Sequence, residues 1–462
     1  MDADAVPGSP LWYVQQLDKS LKSSALELEM YDKYAAGQHR LMFSGTKFRQ
    51  AFGGLFAPFA DNWCELIIDA VDERLNVEGF RQGMGPDAKA DDDAWGIWQA
   101  NNLDNDSSLA HTDALTAGRS FALVWGDSDG NPVITVESPR QMAVMTSPAN
   151  RRQRLAAFKR WTDVDGKVYG TLWLPDGVYK YISVSPTTST DWKPLVSNTE
   201  PWPLPNPLQV VPVVPLINKA RTLVAEGVSE IHNAIPIQDA VNKLCADLLI
   251  ASEYAAFPQR WVTGYELEID DEGNAKEPWK VAVDKLMVAE GADVKFGQFD
   301  AGDLKNYVTA IEMFVQHLAS QSRTPPHYFY LSGDFPSGDA IKSAETGLVA
   351  KSRRKMRAFG ESWEEVMRLA FAVLDDPRAN DTSNETIWGD PEYRSESERA
   401  DALVKRAAIG VPEAQLWEDA GYSPQQIARF KAERATDALM AAALAASQPQ
   451  LPPAMPTNVE PT

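Results

Sequence analysis

The alternation of apolar and polar positions changes period twice along the chain, and each change marks a different kind of element. From residue 11 to about 85 the period is helical. It runs through "LWYVQQLDKSLKSSALELEMYDKYAAG" and again through "DNWCELIIDAVDERL", where Cys64, Ile67, Ile68 and Val71 form one stripe and Asp61 is the expected N-cap. A strand is expected just beyond, in "NVEGF". Between the two helical runs lies "FGGLFAPFADNWC", with four aromatics and two adjacent glycines in thirteen residues. So much aromatic area suits either a buried core or a surface that meets another copy of the chain. After Gly79 a polar loop leads to a helix with Trp95 and Trp98 on one side, and to another from about Ser107.

From Arg119 the period falls to two. "SFALVWGDSDGNPVITVESP" reads strand, turn, strand, and further hairpins turn at Asp165-Gly166 and Asp176-Gly177. Residues 119–215 are therefore a β-rich unit. It closes in "EPWPLPNPLQVVPVVPLIN", whose prolines exclude regular central strands.

The helical period then returns in longer stretches. Ile237, Val241, Leu244, Cys245, Leu248 and Leu249 form a stripe that starts near Pro236 and is stopped by Pro258. A small acidic insert, 259–299, separates it from a second helix. There Leu304, Tyr307, Val308, Ile311, Phe314, Val315 and Leu318 keep the i, i+3, i+4, i+7 spacing until Pro325 and Pro326. The loop "HYFYLSGDFPSGDA" precedes a third long helix at about 340–374. A strand in "ETIWGD", a helix and a helix pair follow, and the tail "SQPQLPPAMPTNVEPT" has the composition of a disordered segment.

Composition narrows the function. The chain has 462 residues, which suggests two to four substructures. No apolar run approaches the roughly 18 residues of a membrane span, and "MDADAVPGSP" does not have the pattern of a secretory signal. The two cysteines, Cys64 and Cys245, make neither a metal pattern nor a disulfide framework; both suit small core positions. Net charge is -21, from 65 acids against 44 bases. On average such a chain repels phosphate, so it either never meets nucleic acid or lets it pass without sticking.

Catalytic chemistry finds little support. The five histidines, His39, His111, His232, His317 and His327, share no metal-ligand spacing. "GDFPSGDA" places Gly333 and Gly338 at phosphate-loop spacing, but Asp339 and Ala340 stand where lysine and a hydroxyl residue are required. "GDSDGNP" lacks the later bidentate glutamate of a calcium loop and reads as a hairpin turn. No cofactor is expected. The one basic block is "KSRRKMR", with Lys351, Arg353, Arg354, Lys355 and Arg357. It is either a solvated, ion-paired face or a band that faces DNA phosphate, and helical spacing spreads these charges around the axis.

Long helix, small insert, long helix, loop, long helix is an unusual order. With the segments at 39–81, 296–329, 337–371 and 387–412, it resembles the portal proteins of tailed bacteriophages, especially those of actinobacterial siphophages. The resemblance spans about residues 10–435. It implies an α+β, mainly helical fold whose parts are named wing, stem, clip, tunnel loop and crown. Residues 1–9 would be a disordered N-terminus and 10–225 the wing. The stem would take 226–258 and 300–324, the clip 259–299 and the tunnel loop 325–339. A channel helix would span 340–376, with the wing return and crown at 377–440 and a disordered tail at 441–462. The aromatic segment would then belong to the wing core or to a contact between subunits.

The implied function is a non-enzymatic ring, usually dodecameric, at one capsid vertex of the virion, assembled in the host cytoplasm. It would be the conduit for packaging and ejection of double-stranded DNA. The implied partners are other copies of the chain, the major capsid protein and scaffold, the terminase large subunit, the head-tail adaptor and DNA passing without sequence specificity; no membrane is involved. The expected subunit interface is Leu304, Tyr307, Ile311, Phe314 and Leu318. Asp270, Asp271 and Glu272 would dock partners, and Tyr328, Phe329, Tyr330, Asp334, Phe335 and Asp339 would line the narrowest point of the channel or pack subunits there. Another structural head or connector protein is the principal alternative, and a multidomain enzyme a more distant one.

Overall fold

The computed structural model describes residues 5–42, 60–83, 89–183, 191–222, 224, 226–256, 260–264, 293–300, 302–329, 338–392 and 396–447. Most of the aromatic segment at 52–64, the acidic insert and the tail lie outside them. The chain forms two compact units, one of residues 1–26, 71–229 and 349–462, the other of 27–70 and 230–348. Together they make an α+β fold.

Helix α1 (Pro10–Ala35) presents Val14, Leu17 and Leu21 to the larger unit and Leu28 and Tyr31 to the smaller, all buried at helical spacing. Helix α2 (Trp63–Asp72) buries the expected stripe of Cys64, Ile67, Ile68 and Val71. Its cap differs from expectation. Asn62 Oδ1 accepts from the Cys64 N–H at 3.2 Å, while the Asp61 N–H and C=O are taken by Asn242 and Gln238. Strand β1 (Val77–Gln82) and the short β2 (Lys89–Ala90) pair next, followed by α3 (Asp92–Ala100) and α4 (Leu103–Ala117). The latter helix starts four residues earlier than its periodicity suggests.

The β-rich stretch divides into two sheets. Strands β3 (Arg119–Gly126) and β4 (Pro132–Glu137) form a hairpin. Next come β5 (Met142–Thr146), β6 (Arg154–Thr162), β7 (Val168–Trp173) and β8 (Gly177–Ser183). They make an antiparallel meander, with β9 (Trp192–Pro194) and β10 (Leu204–Pro205) on the β8 edge. Two of the hairpins turn by the same device. In Asp127–Asn131 and in Asp163–Lys167, the leading aspartate accepts the N–H groups two and four residues on, at 2.7–3.0 Å, and a left-handed glycine follows. Strand β11 (Val213–Ile217) carries Pro215 and lies at the edge beside β3, the position a proline permits. Val14, Leu17 and Leu21 of α1 pack on the meander against Phe158, Leu172, Tyr181 and Trp192. Gly170 is required there, because a Cβ would sit 2.6 Å from the Phe158 ring.

In the smaller unit follow α5 (Ile235–Ala256), strands β12 (Arg260–Thr263) and β13 (Lys295–Gln298), and α6 (Lys305–Ser322). Helix α7 (Gly338–Val373) then passes back into the larger unit. Its buried face carries Met356, Phe359, Trp363, Val366, Met367, Ala370 and Phe371. Strand β14 (Asn384–Trp388) pairs antiparallel with β1, and α8 (Glu396–Ala408), α9 (Glu413–Asp419) and α10 (Pro424–Ser447) end the fold.

The centre of the larger unit is an aromatic cluster on α7. His111 of α4 is wholly buried, stacks on Phe359 and accepts the Trp363 indole N–H at its Nε2, 2.9 Å away. Trp98 meets Trp363 edge to face at 5.1 Å, and Phe80 meets Trp98 at 5.5 Å. Arg378 closes one side. It lies over the Phe371 ring and bonds Asp91, Asp93 and Asp376.

Burial drives the His111 imidazole down to about 3, so it is neutral in the fold. The unfolded chain takes up a proton near pH 6.5 that the native chain refuses. Stability contributed by this group is therefore full above pH 6.5 and falls as pH drops toward 3, by about 1.4 kcal/mol per pH unit. His111→Gln should lose that slope. Urea unfolding at pH 7 and pH 5 should show wild type losing about 2 kcal/mol more than the variant across the interval; equal losses would refute a neutral buried His111.

Candidate functional site

Three features carry the functional expectations: the α5–α6 pair, the segment that follows α6, and the basic block of α7.

The start of α5 is tied down by a buried polar face. Gln238, Asp239 and Asn242 are all buried, at helical spacing. Gln238 Oε1 accepts the Trp63 N–H at 2.8 Å, and Asp239 accepts the Tyr34 hydroxyl at 2.7 Å. Asn242 accepts the Asp61 N–H through its oxygen, so its amide nitrogen faces His39 and donates to Nε2 at 2.7 Å. Burial lowers the His39 pKa and raises that of Asp239. The His39 ring stacks on Tyr34 at 4.3 Å. Tyr31 completes the joint by donating to Glu27 at 2.8 Å and accepting from His232 Nδ1 at 2.7 Å. With Gln238, Asp239 and Asn242 each hydrogen-bonded, this end of α5 is fixed in rotation as well as position.

Farther along, α5 packs against α6, and β12 and β13, which continue α5 and lead into α6, pair with each other. Asp303 caps α6 by accepting the Lys305 N–H. Of the expected interface residues, Leu318 is buried within the subunit, while Leu304, Tyr307, Ile311 and Phe314 are half-buried. Apolar area also remains open beside them, at Leu249 of α5 and at Val308 and Met313 of α6, each 43–45% exposed. Trp261, Phe296 and Phe299 extend that surface around the β12–β13 pair. Asp270, Asp271 and Glu272 lie outside the described residues.

Helix α6 stops at Arg323, which takes a left-handed φ of 56°, and Pro326–Tyr328 form one 3-10 turn. Phe329 is buried and packs on Trp63 at 5.3 Å. The expectation that Phe329 lines a channel is therefore corrected, since its ring belongs to the interior of its own unit. Tyr328 is half-buried, and His327 Nε2 stands 3.5 Å from Glu345 Oε1. Tyr330, Asp334 and Phe335 fall outside the described residues. Asp339 falls in the first turn of α7, and only its backbone is described.

The basic block separates into two sets. Lys351 and Lys355 are buried, at 8% and 4% exposure, and the Lys355 ammonium bonds Asn218 Oδ1. These two are removed from the expected DNA-facing band. Their four-residue spacing beside Leu348, Ser352, Met356 and Phe359 was the available sign, because it continues the buried stripe. Arg353, Arg354 and Arg357 are exposed on the opposite side. Arg353 lies 3.9 Å from Asp390 and 3.6 Å from Glu392.

Among the described residues no group of three or more side chains is placed to hold a metal ion, and no helix is long and apolar enough to cross a membrane.

Comparison with known structures finds a likeness to the neck of an empty gene transfer agent particle, at TM-score 0.48 and 13% identity over 84% of this chain and 96% of that one. Among curated proteins, the portal protein of Mycobacterium phage L5 is 30% identical over 419 residues, covering 86% of this chain and 83% of that protein. The portal protein of Mycobacterium phage D29 is 30% identical over 416 residues, with the same coverage. Residues 61–438 match the family described as phage portal protein, SPP1 Gp6-like. The chain belongs to this family of phage portal proteins.

Proposed function

We propose that this chain assembles with copies of itself into a ring, a dodecamer, at one vertex of a phage capsid. The ring is the passage for double-stranded DNA and the platform for terminase and the head-tail adaptor. In this reading residues 226–258 and 300–324, which hold α5 and α6, are the stem, 259–299, with β12 and β13, the clip, and 325–339, up to the first turn of α7, the tunnel loop. Residues 10–225 make the wing, α7 is the channel helix, and 377–440 hold the wing return strand β14 and the crown.

The observation that carries the proposal is the uncovered apolar surface of the α5–α6 pair. A helix with Tyr307, Val308, Ile311, Met313 and Phe314 only partly covered leaves hydrophobic area in water. A helix pair buries one side, and lateral neighbours in a ring cover the rest. The charge balance is consistent with the passage. At -21 per subunit, the wall of such a ring repels phosphate on average and does not trap the duplex. The exposed part of the α7 block, Arg353, Arg354 and Arg357, offers weak local contacts within that acidic field.

Electron microscopy of the purified chain should show rings with a central hole. A chain that stays monomeric when co-produced with its capsid protein would count against the proposal. Ile311→Asp should abolish rings while leaving the subunit folded, because burying an unpaired carboxylate costs several kcal/mol. Normal rings from that variant would remove α6 from the interface.

The tunnel-loop reading has its own test. Asp334 and Asp339 would form acidic rings that keep DNA from binding where the passage narrows. Asp334→Lys with Asp339→Lys should retain DNA or slow its passage, more strongly at low salt, in rings of normal size. Packaging rate and DNA retention equal to wild type across a salt series would show that the loop does not line the path.

A further inference from the structure

The last helices have almost no interior of their own. Among the described residues from 396 to 447, Ile427 is the one hydrophobic side chain that is fully buried, at 5% exposure. Val404, Ile409, Leu439 and Met440 are each more than 60% exposed. Trp417, Tyr422 and Phe430 meet edge to face at 5.0–5.9 Å and hold α9 to α10. Helix α10 touches β1 and β2. An apolar attachment with one buried residue is slight for three helices.

Charge supplies the rest of the attachment. Arg81 of β1 is forked between Glu385 of β14 at 2.6 Å and Glu418 of α9 at 3.2 Å. Arg399 of α8 reaches Asp390, just beyond β14, at 4.0 Å. Arg406 and Asp419 pair α8 with α9. Arg81, Asp390, Arg406, Glu418 and Asp419 line a cleft of about 330 Å³, with Trp388 and Tyr422 in its walls. A polar space of that size holds several waters, at about 30 Å³ each in the liquid. The pairs are therefore hydrated and within reach of dissolved ions, the setting in which salt screening is strongest.

We propose that α8 to α10 form an electrostatic latch. The helices are held on the β1–β14 edge by guanidinium–carboxylate pairs, and they come away as ionic strength rises while the rest of the larger unit stays folded. Increasing salt from 0.1 M to 1 M shortens the screening length from about 10 Å to about 3 Å, which is the span of the bridging pairs themselves. The core on α7 depends on salt far less, because Phe359, Trp363, Val366, Met367 and Phe371 hold it by buried apolar packing. This inference does not require the ring reading.

Hydrogen exchange of the full-length protein in 0.1 M and 1 M potassium chloride tests it, with oligomeric state followed by light scattering. Amides in 413–430 should exchange at least about threefold faster at high salt, while those of β6 to β8 change little. Glu418→Arg sets two guanidinium groups against each other at an exposed site. At 0.1 M salt it should reproduce the fast exchange of 413–430, with no change in oligomeric state. The latch is overturned if 413–430 and β6–β8 respond alike to salt. It is equally overturned if Glu418→Arg leaves exchange in 413–430 at the wild-type rate.

Discussion

The larger unit depends on one surface, the buried face of α7. Phe359, Trp363, Val366, Met367, Ala370 and Phe371 lie along a single helix, and elements from four distant parts of the sequence come to rest on it. Helix α4 brings His111, and α3 brings Trp98. Strand β11 offers the Pro215 carbonyl to Ser362, and β14 is seated by Thr386, which bonds both Glu364 and the Gly360 carbonyl. Arg154 of β6 joins Glu365. These contacts combine ring packing with hydrogen bonds and an ion pair along one helix face. The packing supplies the drive, and the hydrogen bond fixes which rotation of the helix is the native one.

The same principle operates in the smaller unit with the emphasis reversed. There the start of α5 is held by amide and carboxyl groups, Gln238, Asp239 and Asn242, each with a defined partner. A polar buried face tolerates far less slippage than an apolar one, because a shift of one residue would leave several groups unsatisfied. The result is a helix whose first turns are set firmly and whose distal apolar side remains open, the surface on which the proposed ring rests.

What the sequence made legible was periodic or local. The stripe of α2 and the helical period of α6 follow from residue spacing alone. The two Asp-x-Asp-Gly turns follow from the short reach of an aspartate side chain to its own backbone. Family membership was readable from the order of long helices and short insert together with extended similarity. The individual fates of side chains were not readable, because they depend on partners far along the chain. Lys355 is buried because Asn218 waits 137 positions earlier. Phe329 is interior because Trp63 lies beside it. His111 looked like any scattered histidine until Phe359 and Trp363 enclosed it. Among the proposed channel and docking residues, those at 270–272 and 330–337 carry their meaning through composition and position, and the geometry bears only on their neighbours.

The pairing of His111 with Trp363 spans 252 residues. Ribosomes add roughly 5–20 residues per second, so α4 emerges some 13–50 s before the helix that covers it. During that interval the pocket around Trp98 and His111 is open, and β1 has no partner at the edge that β14 will occupy. The larger unit therefore cannot close until synthesis has passed β14. A nascent chain that has not yet reached that strand lacks the finished unit. The order of folding events is thus written into connectivity: the early helices and the first strand wait for a helix and a strand made long after them.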